Sequence, residues 1–239
     1  MHFDHVTKRY SGPPALDNLN LEVKSGELFG FLGPNGAGKT TAMKLASGLV
    51  RPNSGNIFIA GFDVQKHPEE AKRLVGFVPD SPYIYESLTG REFLHYCAGL
   101  YRMPHEETVR RVDRLLDRFA IGSWIDTRAG EYSHGMKQRV IMASAFLHNP
   151  KIILIDEPMV GLDPAGVRLV KNLLIEFCRQ GGAVFMSTHT LINAEELCDR
   201  VGIVTCGKMI ACGSLDEIKR DRVRLEDAFI ALTSSGQLQ

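Results

Sequence analysis

No stretch of this 239-residue chain approaches the ~20 consecutive apolar residues that a membrane-spanning helix needs. Met1-His2-Phe3-Asp4-His5 has no apolar leader segment, so no secretory signal is expected. Charge of one sign is not in excess either. The 28 Lys and Arg balance the 28 Asp and Glu, which argues against non-specific nucleic-acid binding, since that rests on surplus positive charge. The five cysteines are scattered, and no Cys-x-x-Cys occurs. That odd, scattered set lacks metal-ligand spacing and suggests buried or free thiols in a reducing compartment. Low-complexity runs, internal repeats and an obvious flexible linker are also missing. What remains is an ordinary apolar fraction of 44%, enough to fill the core of one large domain.

The most informative stretch is Gly33-Pro34-Asn35-Gly36-Ala37-Gly38-Lys39-Thr40-Thr41. It follows Leu28-Phe29-Gly30-Phe31-Leu32, which reads as a buried strand, and it leads into a helical run. Strand, glycine-rich loop and helix start, in that order, are the P-loop pattern Gly-x-x-x-x-Gly-Lys-Thr. Glycines let backbone N–H groups converge on phosphate oxygens, and the helix N-terminus adds partial positive charge there. Lys39 can reach the outer phosphates, and the Thr40 hydroxyl can ligate Mg²⁺. Nucleotide binding is therefore expected at Gly33–Thr41.

Before the loop, residues 1–32 read as short strands broken by turns at Ser11-Gly12-Pro13-Pro14 and Ser25-Gly26. Tyr10 stands at the first turn as a strand-end aromatic. After it come a helix ending near Gly48, a strand over 56–60, a short helix from Pro68 to Arg73 and a strand over 75–78 ended by Pro79. From 82 to 148 the pattern is helical. Val109, Val112, Leu115, Leu116 and Phe119 share one face. Arg110, Arg111, Arg114 and Arg118 face elsewhere, and a solvated face with local ion pairs is favoured over a binding stripe. The tyrosines and Phe93 between 83 and 101 read equally well as core or as an exposed docking surface.

A second α/β half follows. Lys151-Ile152-Ile153-Leu154-Ile155 is a continuous apolar run, as a parallel strand covered on both faces requires. It ends in Asp156-Glu157, where parallel sheets bind ligands. Beside a P-loop, Asp156 is placed to hold Mg²⁺ and Glu157 to polarise an attacking water. His189, two residues beyond a strand over 183–187, lies at the same sheet edge and favours contact with the terminal phosphate. Helices are expected over 166–180 and 192–198, a hairpin around Gly207, and two short helices in 214–232. Finally, Tyr132-Ser133-His134-Gly135-Met136-Lys137-Gln138-Arg139 precedes a helix expected over Val140–His148. Ser133 and Gly135 there make a second anion site by the physics of the first. Either the helical insertion folds back over the P-loop, or two chains pair head-to-tail so that each covers its partner's nucleotide.

These motifs, in this order, resemble the ATP-binding subunit of ABC transporters over nearly the whole chain. The residues from Ser133 to Arg139 look like the family signature, Asp156-Glu157-Pro158 like its acidic strand end, Gly161-Leu162-Asp163 like its D-loop and His189 like its switch histidine. The resemblance implies an α/β P-loop NTPase fold of the ABC ATPase type. Its mostly parallel core sheet would carry a small antiparallel β subdomain and an inserted helical subdomain. One ABC ATPase domain would fill 1–239: the core and β subdomain in 1–81 and 149–213, the helical subdomain in 82–148, a short helical tail in 214–239. It further implies two subunits, identical or homologous, closing head-to-tail around two ATP–Mg²⁺. Ser133 and the Gly135 backbone would touch the phosphate held by the other chain's Lys39. Asp163 would link the two sites, and Tyr10 would stack on adenine. Closure would drive an integral membrane permease, with the chain peripheral at the cytoplasmic face of the cell membrane.

Two departures stand out. Asp80 replaces the usual Gln after the strand at 75–78; it keeps an oxygen for Mg²⁺ but adds charge. In the signature, Tyr132, His134 and Met136 replace the commonest Leu, Gly and Gln, while Ser133 and Gly135 are kept. The signature together with Leu225-Glu226-Asp227-Ala228-Phe229 looks most like the ABC-2 class of bacterial exporters, and no appended regulatory domain is expected. The alternative, a soluble ABC-type ATPase acting on DNA or the ribosome, is disfavoured by the single set of motifs, the lack of sustained heptads and the balanced charge. A regulatory or inactive module is disfavoured by the presence of Lys39, Glu157 and His189.

Overall fold

Alternation within the apolar runs builds the centre of the molecule. In the computed structural model, which describes residues 1–219 and 224–235, the runs become β3 (Leu28–Leu32) and β7 (Ile152–Asp156), and every residue of both is buried. They lie in a six-stranded sheet completed by β6 (Val75–Val78), β8 (Ala183–Thr188), β9 (Arg200–Thr205) and β10 (Lys208–Ser214), in the order β10-β9-β3-β8-β7-β6. All neighbours run parallel except the β9–β10 hairpin. Successive strand residues point to opposite faces, so the sheet separates two apolar layers. Leu28, Leu32, Ile153, Ile155, Val184 and Met186 belong to one. Phe29, Phe31, Ile152, Leu154 and Phe185 belong to the other.

The second layer is roofed by a four-stranded antiparallel sheet, in the order β2 (Leu16–Glu22), β1 (His2–Lys8), β4 (Ser54–Ile59), β5 (Phe62–Asp63). Phe185 ties the sheets together, with ring centroids 5.9 Å from Phe3, 6.0 Å from Phe29 and 5.4 Å from Phe31. Aromatic pairs at these separations add to the burial itself. The helix after the P-loop, α1 (Lys39–Ala46), packs into the same layer through Ala42, Met43, Leu45 and Ala46. The short helix α2 (Pro68–Arg73) has the expected bounds, with Pro68 in its first turn.

Between β6 and β7 stand α3 (Gly90–Leu100), α4 (His105–Arg118), a 3₁₀ turn over Ala129–Glu131 and α5 (His134–Phe146). The start of α3 is fixed by reciprocal capping: Glu92 N–H donates to Thr89 Oγ1 at 3.1 Å, and Thr89 N–H donates to Glu92 Oε2 at 2.8 Å. Three expectations change here. Val109 is exposed, whereas Val112, Leu115, Leu116 and Phe119 are buried. The helix expected from Val140 begins at His134, because Ser133 caps it by accepting from Met136 N–H at 3.3 Å. The aromatic set divides: Phe93 is core, while Tyr83, Tyr85 and Tyr96 form an exposed edge-to-face chain. Arg111 pairs with Glu107 and Arg118 with Glu176, both near the surface.

The remaining helices are α6 (Pro164–Arg179), α7 (Leu191–Leu197), α8 (Leu215–Lys219) and α9 (Leu225–Ser235). Leu225 and Ala228 are buried in the layer that holds Ala194 and Leu197 of α7. The expected tail over 214–239 is partly outside the described residues, at 220–223 and 236–239.

One joint in this architecture titrates. At the end of α5 the His148 ring stacks on Tyr101 at 3.7 Å, and its Nε2–H donates to Val75 O of β6 at 3.0 Å. Burial, with Arg111 adding to it, pushes the imidazole down to about 4. Because the folded value lies below the unfolded one, this histidine's contribution is full above the ordinary histidine value and is lost as pH falls toward 4. His148→Phe is expected to shrink the stability difference between about pH 7 and pH 5 by about 2 kcal/mol, read from urea midpoints.

Candidate functional site

The P-loop residues Gly33–Gly38 join the carboxyl end of β3 to the N-terminus of α1. At Gly36 the backbone is left-handed (φ +81), and a β-carbon would meet nothing within 4 Å, so the loop is open on its outer side. Lys39 is 7% exposed; its ammonium donates to Gly33 O at 2.7 Å and Pro34 O at 3.1 Å. Burial lowers its pKa, against the pull of Glu157 and Asp156. A desolvated cation gains from an anionic ligand.

Across the loop stand the ends of β7 and β8. Asp156 is 3% exposed; Thr40 Oγ1 donates to its Oδ2 at 3.0 Å, and Ser187 Oγ donates to its Oδ1. Burial first, then the charges of Asp80 and Glu157, raise its pKa against those two hydroxyl bonds. Glu157 sits in a left-handed conformation (φ +49), which costs a non-glycine residue about 1–2 kcal/mol. Its carboxylate accepts from Thr188 Oγ1 at 3.0 Å, His189 N–H at 2.9 Å and His189 Nδ1 at 2.7 Å. Asn35, Gly36, Gly38 to Thr41, Asp80, Asp156, Glu157 and His189 thus surround one cavity of about 290 Å³, with Ala15 on its wall; Gly33, Pro34 and Ala37 of the loop do not line it. Tyr10 does not line it; its ring is 60% exposed, with Lys8 Nζ 5.0 Å from the centroid.

Ser133, Gly135 and Asp163 face a second cavity, of about 490 Å³, together with Trp124, His134, Met136, Arg139 and Gly161. Asp163 caps α6 by accepting from Gly166 N–H at 2.9 Å, and Arg139 donates to it at 3.2 Å. No residue lines both cavities. The helical segment therefore does not fold back over its own P-loop.

Sequence reasoning passed over Ser187 and Thr188. Both are buried and each holds one of the two acids. Their signal is two hydroxyl residues closing the otherwise apolar run Ala183-Val184-Phe185-Met186 at the carboxyl end of a parallel strand.

The donor set fits a hard divalent cation. Thr40, Asp156 and Asp80 offer only oxygens. The raised pKa of Asp156 has a checkable consequence. A carboxyl whose folded pKa lies above its unfolded one destabilises the fold once pH rises through that folded value. Asp156→Asn is expected to raise the thermal midpoint of the nucleotide-free protein by about 2–4 °C at neutral pH, while abolishing Mg²⁺-dependent nucleotide stabilisation.

Strand, phosphate loop, helix and an acidic facing strand define a P-loop nucleotide-binding protein. Residues 16–160 match the family model for ABC transporters, and the chain belongs to that family, as an ATP-binding ATPase subunit. An ABC transporter ATP-binding protein of Nostoc sp. is 40% identical over 208 residues, 85% of this chain and 61% of that one. The linearmycin resistance ATP-binding protein LnrL of Bacillus subtilis is 34% identical over 98% of this chain and 74% of its own. The chain thus spans about three-fifths to three-quarters of these relatives' length. A solved ATP-binding subunit of an ABC transporter superposes with a TM-score of 0.91 at 33% identity, covering 97% of this chain and 98% of that one. A dimeric cassette solved in a post-hydrolysis state with ADP and Pi gives 0.79 at 28% identity, over 90% of this chain and 98% of that one.

Proposed function

We propose that this chain powers a membrane transporter, of the exporting kind, by closing head-to-tail with a second ATPase subunit around two ATP molecules and reopening on hydrolysis. The observation that carries this is the separation of the two anion sites within one chain. Each is half of a site, and two chains in antiparallel register would complete both. The dimeric state of the solved cassette with ADP and Pi supports the same reading.

The roles follow from chemistry and position. The Gly33–Gly38 backbone and Lys39 would hold the phosphates, with Thr40 and Asp156 as Mg²⁺ ligands and Asp80 as a further oxygen beside them. The metal ion, when bound, would neutralise charge on the outer phosphates. Glu157 would take the proton of the attacking water. His189 holds Glu157 in place now and would exchange that contact for the terminal phosphate. Ser133 and Gly135 would meet the phosphate held by the other chain's Lys39, and Asp163 would face the second site. Tyr10, exposed and outside the cavity lining, would stack on the adenine.

Coupling requires an integral membrane permease, which would hold the chain at the cytoplasmic face of the membrane. Among the described residues no helix is long and apolar enough to cross a membrane. The exposed chain Tyr83–Tyr85–Tyr96 offers an aromatic surface of the kind enriched at interfaces. The linearmycin resistance relative supports export. Capture from solubilised membranes with the tagged Glu157→Gln protein and MgATP tests this reading. Recovery of an integral membrane protein is expected; recovery of ribosomes or DNA instead would contradict it.

A further inference from the structure

His134 is the first residue of α5, directly after Ser133, where the resemblance leads one to expect glycine. Its ring does not stand free. It lies on the backbone of Gly161, so that a β-carbon at 161 would overlap the ring and come within 2.9 Å of Nε2. Gly161 itself is left-handed (φ +76). A β-carbon at Gly135 would come within 3.2 Å of Gly161 O, so the two loops already approach backbone to backbone. A second contact lies nearby: Arg139 donates to Asp163 Oδ1 at 3.2 Å, and the same oxygen accepts from Gly166 N–H. The first turns of α5 therefore grip the loop 161–163 twice within one chain, by a ring on a glycine and by an ion pair.

The ring matters because of what it restrains. A glycine flanked by an exposed residue, here Val160 at 48%, samples many backbone states unless something covers it. Glycine or alanine at 134 would uncover it. The ion pair alone is too exposed to hold the loop, since Asp163 is largely solvated.

We propose that His134 is a positioning residue that clasps the loop 161–163 to the Ser133–Gly135 anion site, so that the two respond as one body when a partner's phosphate engages. The inference rests on the paired-site reading above. It also accounts for an unusual residue at a phosphate-binding turn: His134 acts sideways, on the neighbouring loop.

The test is a rescue. Wild type, His134→Ala, Gly161→Ala and the double variant are compared as full chains for MgATP turnover, Hill coefficient and ATP affinity, with thermal midpoints confirming folding. His134→Ala is expected to lower kcat by about tenfold, the scale on which small misplacements act, and to lower the Hill coefficient, with ATP affinity unchanged. Gly161→Ala is expected to lose more, and the double variant to regain part of that loss because the overlapping ring is gone. If the two losses multiply, or if His134→Ala keeps both kcat and Hill coefficient, the clasp is wrong. Should Gly161→Ala not fold, the Hill coefficient of His134→Ala decides alone. Wild-type specific activity is measured over a range of protein concentrations in the same series. If it does not rise with concentration, the paired reading fails, whereas the rescue comparison still decides whether the clasp exists.

Discussion

Glu157→Gln is expected to lower ATP turnover by about 10²–10⁴-fold, the range that one positioned general base supplies, while ATP still binds. An amide has the shape of the carboxylate; its one oxygen can still accept from His189 N–H, which now bonds Glu157 at 2.9 Å, while its NH₂ can donate to Thr188 Oγ1, now 3.0 Å from the carboxylate. It cannot take a proton. The backbone at 157 is already left-handed, and the substitution does not change that cost. Binding should be unchanged or tighter, because a negative charge facing the phosphates is removed. Single-turnover hydrolysis and equilibrium binding, measured on one preparation, separate the two effects. A variant that keeps more than a tenth of the wild-type rate would remove Glu157 from the role of base.

Lys39→Ala should fail earlier, at binding. The ammonium is buried and bonded only to the carbonyls of Gly33 and Pro34 among the contacts seen, and burial already depresses its pKa. Its cost in the free protein is offset when phosphate oxygens surround it. Removing it is expected to raise the Kd for ATP about 100-fold, or about 2.7 kcal/mol, within the range for a buried charge that loses its partner. The nucleotide-free protein should not lose stability and is expected to gain some, since a desolvated charge is gone. The two variants thus have opposite signatures: Glu157→Gln binds without turning over, and Lys39→Ala cannot fill its site. Titration of both with a fluorescent ATP analogue separates them.

Much of this was legible before any coordinates. Continuous apolar runs at 28–32 and 152–155 announce buried parallel strands, because only a strand covered on both faces is apolar at every position. The P-loop, Asp156-Glu157 and His189 declare themselves by lying at strand ends, and the fold brings all of them to one cavity. Other features depend on partners distant in sequence. Nothing local distinguishes Val109 from Val112, and their different burial follows from how α4 is rotated against α3. The start of α5 at His134 was obscured because Ser, His and Gly are weak helix formers; a cap and the packing beyond it override that preference. Ser187 and Thr188 look like ordinary strand residues until the neighbouring strand supplies the carboxylates they hold. Gly161 reads as a turn glycine, and only the structure shows a ring resting on it. Asp80 stands beside Asp156 and Glu157 on the cavity wall, where its charge adds to theirs.

The central claim is that one nucleotide is held between two chains, with the P-loop of one facing Ser133 and Gly135 of the other. The most direct measurement is the molar mass of Glu157→Gln in solution by light scattering, with and without MgATP, beside the same protein carrying Gly135→Glu. The account predicts a monomer without nucleotide and a dimer with MgATP. It predicts a monomer under both conditions for Gly135→Glu, with ATP affinity at its own P-loop unchanged. A Glu157→Gln protein that stays monomeric at saturating MgATP, or a Gly135→Glu variant that dimerises as well as its parent, would contradict it.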